Sequence, residues 1–131
     1  MAKTILVVDD IAFVRKTLIE ILTEAHYEVV GQAADGSEAI DLFKKLKPDL
    51  VTLDLVMPKM SGIEAARQIT KIDPHSRLIM ITAMAQEHLI MEAINAGVRD
   101  YILKPFAALD LTRAIERAFS DHGTSSRART A

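Results

Sequence analysis

The 131-residue chain has no cysteine and no tryptophan, and only two tyrosines and four phenylalanines. Without cysteine there is no disulfide, no thiol nucleophile and no thiolate metal site. A strong excess of either charge is also missing. The net charge is -2, so there is no basic footprint for nucleic acid. No apolar run approaches the length of a membrane span, and the N-terminus lacks the pattern of a signal peptide. The expectation is a cytoplasmic protein with no membrane or nucleic-acid partner. What is present is ordinary for a globular chain: 50% hydrophobic and 26% charged residues, at a length that suits one domain with a real core. No repeat or linker interrupts residues 1–119, which read as one domain. Residues 120–131 are small, polar and aperiodic, and read as a flexible tail. Its two arginines are too few to make a binding arm.

Short β-branched or apolar runs alternate with stretches of helical spacing. Thr4 to Val8 reads as a central strand, ended by Asp9-Asp10. Val14, Leu18, Ile21, Leu22 and Ala25 then share one helix face, with Arg15, Lys16, Glu20 and Glu24 opposite. Glu28 to Ala33 is a second strand, closed by Asp35-Gly36. Ala39, Leu42, Phe43 and Leu46 form the next helical stripe, which stops before Pro48. Leu50 to Leu53 is a strand buried on both faces. Ala65, Ala66, Ile69 and Ile72 line a third helix that ends near Asp73-Pro74. Leu78 to Ile81 is a fourth strand, closing with Thr82-Ala83. A fourth helix turns Ile90, Ala93 and Ile94 inward, with Gly97 just past its end; Leu89 and Met91 lie off that stripe and are expected to be exposed. Tyr101 to Leu103 is the fifth strand, and a last helix buries Leu111, Ala114, Ile115 and Ala118. Strict alternation implies parallel strands with right-handed crossovers and helices on both faces. The expected fold is therefore a doubly wound α/β three-layer sandwich with five strands and five helices. Alternation does not give the strand order.

In such a sheet, ligands sit beyond the carboxyl ends of the strands. Those ends carry Asp9 and Asp10, then Asp54, then Thr82, then Lys104. Singly, each has a plain structural use: Asp9 and Asp10 as helix caps, Asp54 as a cap or turn former, Thr82 as a strand residue, Lys104 as a solvated surface lysine. Together they are the parts of a phosphoryl-transfer site. Three carboxylates at one edge repel unless a cation lies among them. Oxygen donors at this density suit Mg²⁺, which combines one or two carboxylates with water and phosphate oxygens. Lys104 offers a point charge for phosphate and Thr82 a hydroxyl donor. A carboxylate is a known nucleophile toward phosphorus.

Val7-Val8-Asp9-Asp10, Leu53-Asp54-Leu55-Val56-Met57-Pro58-Lys59-Met60-Ser61-Gly62, Ile81-Thr82-Ala83 and Leu103-Lys104-Pro105-Phe106 together resemble the signature of two-component response-regulator receiver domains. The resemblance runs from about Lys3 to Phe119. It implies a flavodoxin-like sheet of order 2-1-3-4-5. It implies Asp54 as phosphoacceptor from a sensor histidine kinase. Asp10, Asp54 and the Val56 backbone carbonyl would bind Mg²⁺ directly, and Asp9 through water. Lys104 would pair with the phosphoryl group, Thr82 would swing to hydrogen-bond it, and Tyr101 would act as the switch aromatic. It further implies a cis Lys104-Pro105 peptide, and a monomer that catalyses only its own phosphorylation and slow dephosphorylation. With no effector domain after Phe119, the output would be a separate protein. The stretch Thr82-Ala83-Met84-Ala85-Gln86 is most like chemotaxis regulators that act on the flagellar motor switch; phosphorelay intermediates and phosphate sinks share the architecture.

Two other classes fit less well. An FMN carrier would need a hydroxyl- and glycine-rich loop after the first strand, where Asp9-Asp10 would repel an anionic cofactor. An aspartyl-phosphate phosphatase would want a general acid two residues after the nucleophile, where Val56 stands. His26, His75, His88 and His122 are scattered and form no metal spacing.

Overall fold

The alternation of runs and stripes becomes an alternation of elements. The computed structural model describes residues 2–120, with β1 (Thr4–Val8), α1 (Ala12–Glu24), β2 (Glu28–Ala33), α2 (Gly36–Leu46), β3 (Leu50–Leu53), α3 (Gly62–Ile72), β4 (Leu78–Thr82), α4 (Glu87–Asn95), β5 (Asp100–Leu103) and α5 (Ala108–Ser120). The tail expected from residue 120 lies outside the described residues, apart from Ser120, which closes α5. The five strands form one sheet in the order β2-β1-β3-β4-β5, and every neighbouring pair is parallel. The family's strand order, which alternation left open, is thus the one found. No described helix is long and apolar enough to cross a membrane.

Successive side chains of a strand point to opposite faces. The period is visible in how the core divides. Leu6, Val8, Val51, Leu53, Leu78 and Met80 pack with Ala39, Phe43, Ala66, Ile69 and Ala93 of α2, α3 and α4. Ile5, Val7, Leu50, Ile79, Ile81 and Ile102 pack with Leu18, Leu22, Leu111 and Ile115 of α1 and α5. Because both faces are covered, the inner strands β1, β3 and β4 are buried almost throughout, which is why they read as largely apolar runs. The register of β1 against β2 slips between Ile5 and Leu6, so that Val30 is skipped in the pairing.

Local signals place the helix ends. Asp35 accepts from the Glu38 backbone N–H at 2.9 Å while the Glu38 carboxylate accepts from Ala34 N–H at 2.8 Å, a reciprocal cap for α2. Ser61 caps α3 through Glu64 N–H. Gly97 has φ +110°, the backbone region open to glycine, directly after α4. The first helix starts differently. Its N-cap is Ile11, which offers no side-chain cap, and neither Asp9 nor Asp10 takes that place.

Three packing expectations are corrected. Ile72 is 44% exposed, because it is the last residue of α3 and the helix has by then run beyond the sheet. Ile40, outside the stripe assigned to α2, is buried in the core. Leu89 is half-buried against the α2–α4 core, whereas Met91 is exposed as its position off the stripe suggested.

At the opposite edge of the sheet, Asp49 fastens the start of β3 to the start of β1. Its carboxylate accepts from Thr4 N–H at 2.7 Å and from the Thr4 hydroxyl at 3.0 Å. The Thr4 N–H bond foremost, opposed by burial, holds its carboxyl below the usual carboxylate range. A depressed acid stabilises the fold above its unfolded pKa, and that stability is lost as the pH falls through the folded value. Asp49→Asn therefore costs about 1 kcal/mol at neutral pH, the scale of a charge-assisted hydrogen bond made neutral. In urea titrations the gap between variant and wild type closes below the ordinary carboxylate range.

Candidate functional site

Parallel strands put all their carboxyl ends at one edge, and the site residues are the next residues along. Asp9 follows β1, Asp54 follows β3, Thr82 ends β4 and Lys104 follows β5. Their backbones continue the sheet by one more rung. Asp9 N–H donates to Ala33 O at 3.0 Å, Asp54 N–H to Val8 O at 3.1 Å and Lys104 N–H to Thr82 O at 2.9 Å. Each functional side chain therefore stands on a backbone fixed by the sheet rather than on a free loop. The edge between β1 and β3 is also where the chain turns to opposite faces, since α1 packs on one and α2 on the other. That topological switch point is where an open α/β sheet leaves a crevice.

The side chains meet there. One carboxylate oxygen from each of Asp9, Asp10 and Asp54 lies within 4.8 Å of the others. Asp9 and Asp54 are buried, at 1% and 6% exposure, and Asp10 is open to solvent. The Lys104 ammonium donates to Asp9 Oδ2 at 2.8 Å and to Asp54 Oδ2 at 3.0 Å. Asp9 Oδ1 accepts from Ile11 N–H at 2.9 Å, and Asp54 Oδ1 from Val56 N–H at 3.3 Å. Burial raises the Asp9 carboxyl above its ordinary range, against the lowering effect of Lys104 and the Ile11 N–H. Burial pulls Lys104 down, but its bonds to Asp9 and Asp54 outweigh this and its pKa rises.

Three carboxylates against one ammonium leave two negative charges uncompensated, which is the charge of one divalent ion. The donors are all hard oxygens, one of them solvent-facing, and Val56, whose carbonyl the resemblance adds, is exposed beside them. These residues fit Mg²⁺ and do not fit a soft metal.

The other two residues expected here share a neighbour. Thr82 is buried, and its hydroxyl accepts from Met84 N–H at 3.4 Å. The Tyr101 hydroxyl donates to Met84 O at 2.6 Å. Burial, and after it the Asp54 charge, raises the Tyr101 pKa. The Lys104-Pro105 peptide is cis. His26, His75 and His88 are exposed and outside the site; His122 lies outside the described residues.

Contacts made by three residues shape the site in ways that were not read from the sequence. Gly62 N–H donates to Leu55 O at 2.8 Å, and a Cβ at Gly62 would collide with the Asp54 carbonyl oxygen. Gly62 was visible as the last residue of the motif that begins at Leu53, but its approach to Asp54 was not. Met84 is the residue to which both Thr82 and Tyr101 bond. Arg15, assigned by spacing to a polar helix face, reaches the Asp9 carbonyl instead. Nothing in the one-dimensional pattern distinguishes it from Lys16.

Comparison with known proteins gives the family and the fold. The family model described as "Response regulator receiver domain" matches residues 5–116. The chain belongs to that family of signalling proteins. Within it, the chain is 47% identical over 117 residues to the chemotaxis protein CheY of Thermotoga maritima, covering 89% of this chain and 98% of that protein. It is 43% identical to CheY of Bacillus subtilis, covering 92% and 100%. Among solved structures, a chain of the CheX–CheY–BeF3–Mg²⁺ complex from Borrelia burgdorferi superposes with a TM-score of 0.87 at 34% identity, covering 89% of each chain.

The Lys104 ammonium is the counter-ion of two buried acids. Replacing it by methionine keeps the stem but leaves both carboxylates without it. Lys104→Met is expected to destabilise the fold by about 3 kcal/mol in chelator, measured by urea unfolding. An acid whose folded pKa lies above its unfolded value weakens the fold where it is ionised. The deficit should therefore shrink as the pH falls through the raised Asp9 value. Gly62→Ala should destabilise by at least about 1 kcal/mol, because the backbone of Asp54 cannot yield without breaking its rung to Val8.

Proposed function

We propose that the chain, with residues 1–119 as its working unit, is a stand-alone phosphorylation-switched response regulator that accepts a phosphoryl group on Asp54. The observation that carries this reading is the Lys104 ammonium bridging Asp9 and Asp54 inside a cluster of three carboxylates. Asp54 is one of the two buried acids of that cluster, held by the sheet rung to Val8. Asp10, Asp54 and the Val56 backbone carbonyl would hold Mg²⁺ directly, and Asp9 through water. When bound, the ion supplies charge neutralisation for the phosphoryl oxygens and aligns them for in-line attack.

The remaining steps belong to the protein. A carboxylate oxygen of Asp54 attacks the phosphorus of a phosphohistidine on the donor kinase. The new O–P bond forms as the P–N bond breaks, and the imidazole leaves with the electron pair and takes a proton from solvent. Lys104 is already at Asp54 Oδ2 and moves with little rearrangement onto a phosphoryl oxygen. The product carries roughly -1.5 to -2 charge where a single carboxylate stood. Thr82 turns its hydroxyl toward that charge and gives up its bond from Met84 N–H. The same Met84 carries the Tyr101 hydrogen bond on its carbonyl. A shift of Thr82 is thereby passed to Tyr101 and to the surface of α4, β5 and α5. That surface would change its affinity for a separate output protein. Similarity to chemotaxis regulators favours a partner in flagellar motor control, and the CheX named with the Borrelia protein is one kind of partner found in that class.

Incubation with a small acyl phosphate and Mg²⁺ should add one phosphoryl group per chain, seen as a mass increase in wild type. Asp54→Asn, or wild type in excess chelator, should take up none. Equal labelling of the Asn variant would overturn the assignment. Capture of partners with and without beryllofluoride should show a change in what is bound; no change would remove the switching claim.

A further inference from the structure

Asp9 is held at every polar atom. Its N–H pairs with β2, one carboxylate oxygen with Ile11 and the other with Lys104. The last atom, its backbone carbonyl, accepts from Arg15 Nη1 at 2.6 Å. The same guanidinium donates through Nε to the Gln32 side-chain oxygen at 2.7 Å. Arg15 is half-buried in the first turn of α1, and Gln32 stands on β2. A planar guanidinium with both ends fixed is a rigid strut. It spans from the outer strand to the peptide that joins Asp9 to Asp10.

That peptide matters because the Asp9 carbonyl and the Asp10 nitrogen share one plane. Fixing the carbonyl fixes the direction in which the Asp10 Cα leaves the sheet. Asp10 is the exposed member of the carboxylate cluster, so its position depends on its backbone more than that of the buried Asp9 and Asp54 does.

We propose that Arg15, braced by Gln32, is a positioning residue that aims the Asp9–Asp10 turn so that the Asp10 carboxylate completes the divalent-cation pocket. The inference rests on the reading of the cluster as a Mg²⁺ site. Arg15 acts through the peptide and not through its charge, and the two roles have opposite signs. A cation near a cation site weakens binding, so loss of charge alone would tighten it. Loss of the strut scatters Asp10 and loosens it. Removal of residues that orient metal ligands typically costs 10- to 100-fold in metal affinity.

The test is calorimetric titration of MgCl₂ into the phosphate-free full chain. Arg15→Met, which keeps the aliphatic stem, should weaken Mg²⁺ binding about tenfold. Gln32→Ala should shift it in the same direction by less, and Arg15→Lys, which keeps one donor, should fall between Arg15→Met and wild type. In acyl-phosphate labelling, Arg15→Met should need correspondingly more Mg²⁺ for half-maximal rate yet reach the wild-type rate at saturation. Thermal unfolding by circular dichroism checks that the variants are folded at the titration temperature. Unchanged or tighter Mg²⁺ binding by a folded Arg15→Met overturns the proposal and leaves the function intact. A wild type that binds no Mg²⁺ overturns the functional reading, and the inference with it.

Discussion

Two buried carboxylates and one ammonium set the terms for the whole carboxyl edge of the sheet. At spacings near those seen here, like charges repel by about 3–4 kcal/mol at the effective dielectric of a protein surface. Lys104 removes most of that cost by bonding Asp9 and Asp54 together from a strand on the far side of β4. It does not remove all of it, because Asp10 brings a third charge. The fold thus holds a local excess of negative charge at the one place where its topology opens a crevice. Hard oxygen donors in that state fit a divalent ion, and Lys104 stands among them.

This arrangement is rigid at its base and movable at its rim. Asp9, Asp54 and Lys104 each extend a sheet ladder by one rung, so their Cα positions are set by the strands. Thr82 and Tyr101 are joined instead through Met84, by one hydrogen bond at 3.4 Å and one at 2.6 Å. The first is near the limit of a useful N–H···O bond and the second is short. The long bond is made by Thr82, at the carboxyl edge that carries Asp54, and the short one by Tyr101 on β5. Under the proposed function, breaking the first bond would free the second to respond, as a switch requires.

Much of the fold could be read along the chain because its core obeys short periods. Val51 and Leu53 face one helix layer and Leu50 the other, and a run buried on both sides is legible as such. The helix stripes of α1 and α5 were equally clear, since each meets a single face of the sheet. Misreadings fell where a residue's surroundings come from elsewhere. Ile72 carries the right spacing but lies at the end of α3 with no sheet beneath it; Leu89 has the wrong spacing yet touches the core. Asp9, by contrast, lies in the cluster at the carboxyl edge where its strand end put it, bonded to a lysine 95 residues away.

The sequence by itself determined the alternating elements, the parallel sheet that they imply and the acids, hydroxyl and lysine at its carboxyl edge, because periodicity and strand ends are local properties. The strand order came only from family resemblance until the tertiary structure settled it. Tertiary structure alone also decided which acid Lys104 neutralises, that Gly62 must pass against the Asp54 carbonyl and that Arg15 leaves its polar face to grip Asp9. Those are contacts between distant segments. Their geometry is fixed by how layers pack, and no spacing rule within one segment encodes it.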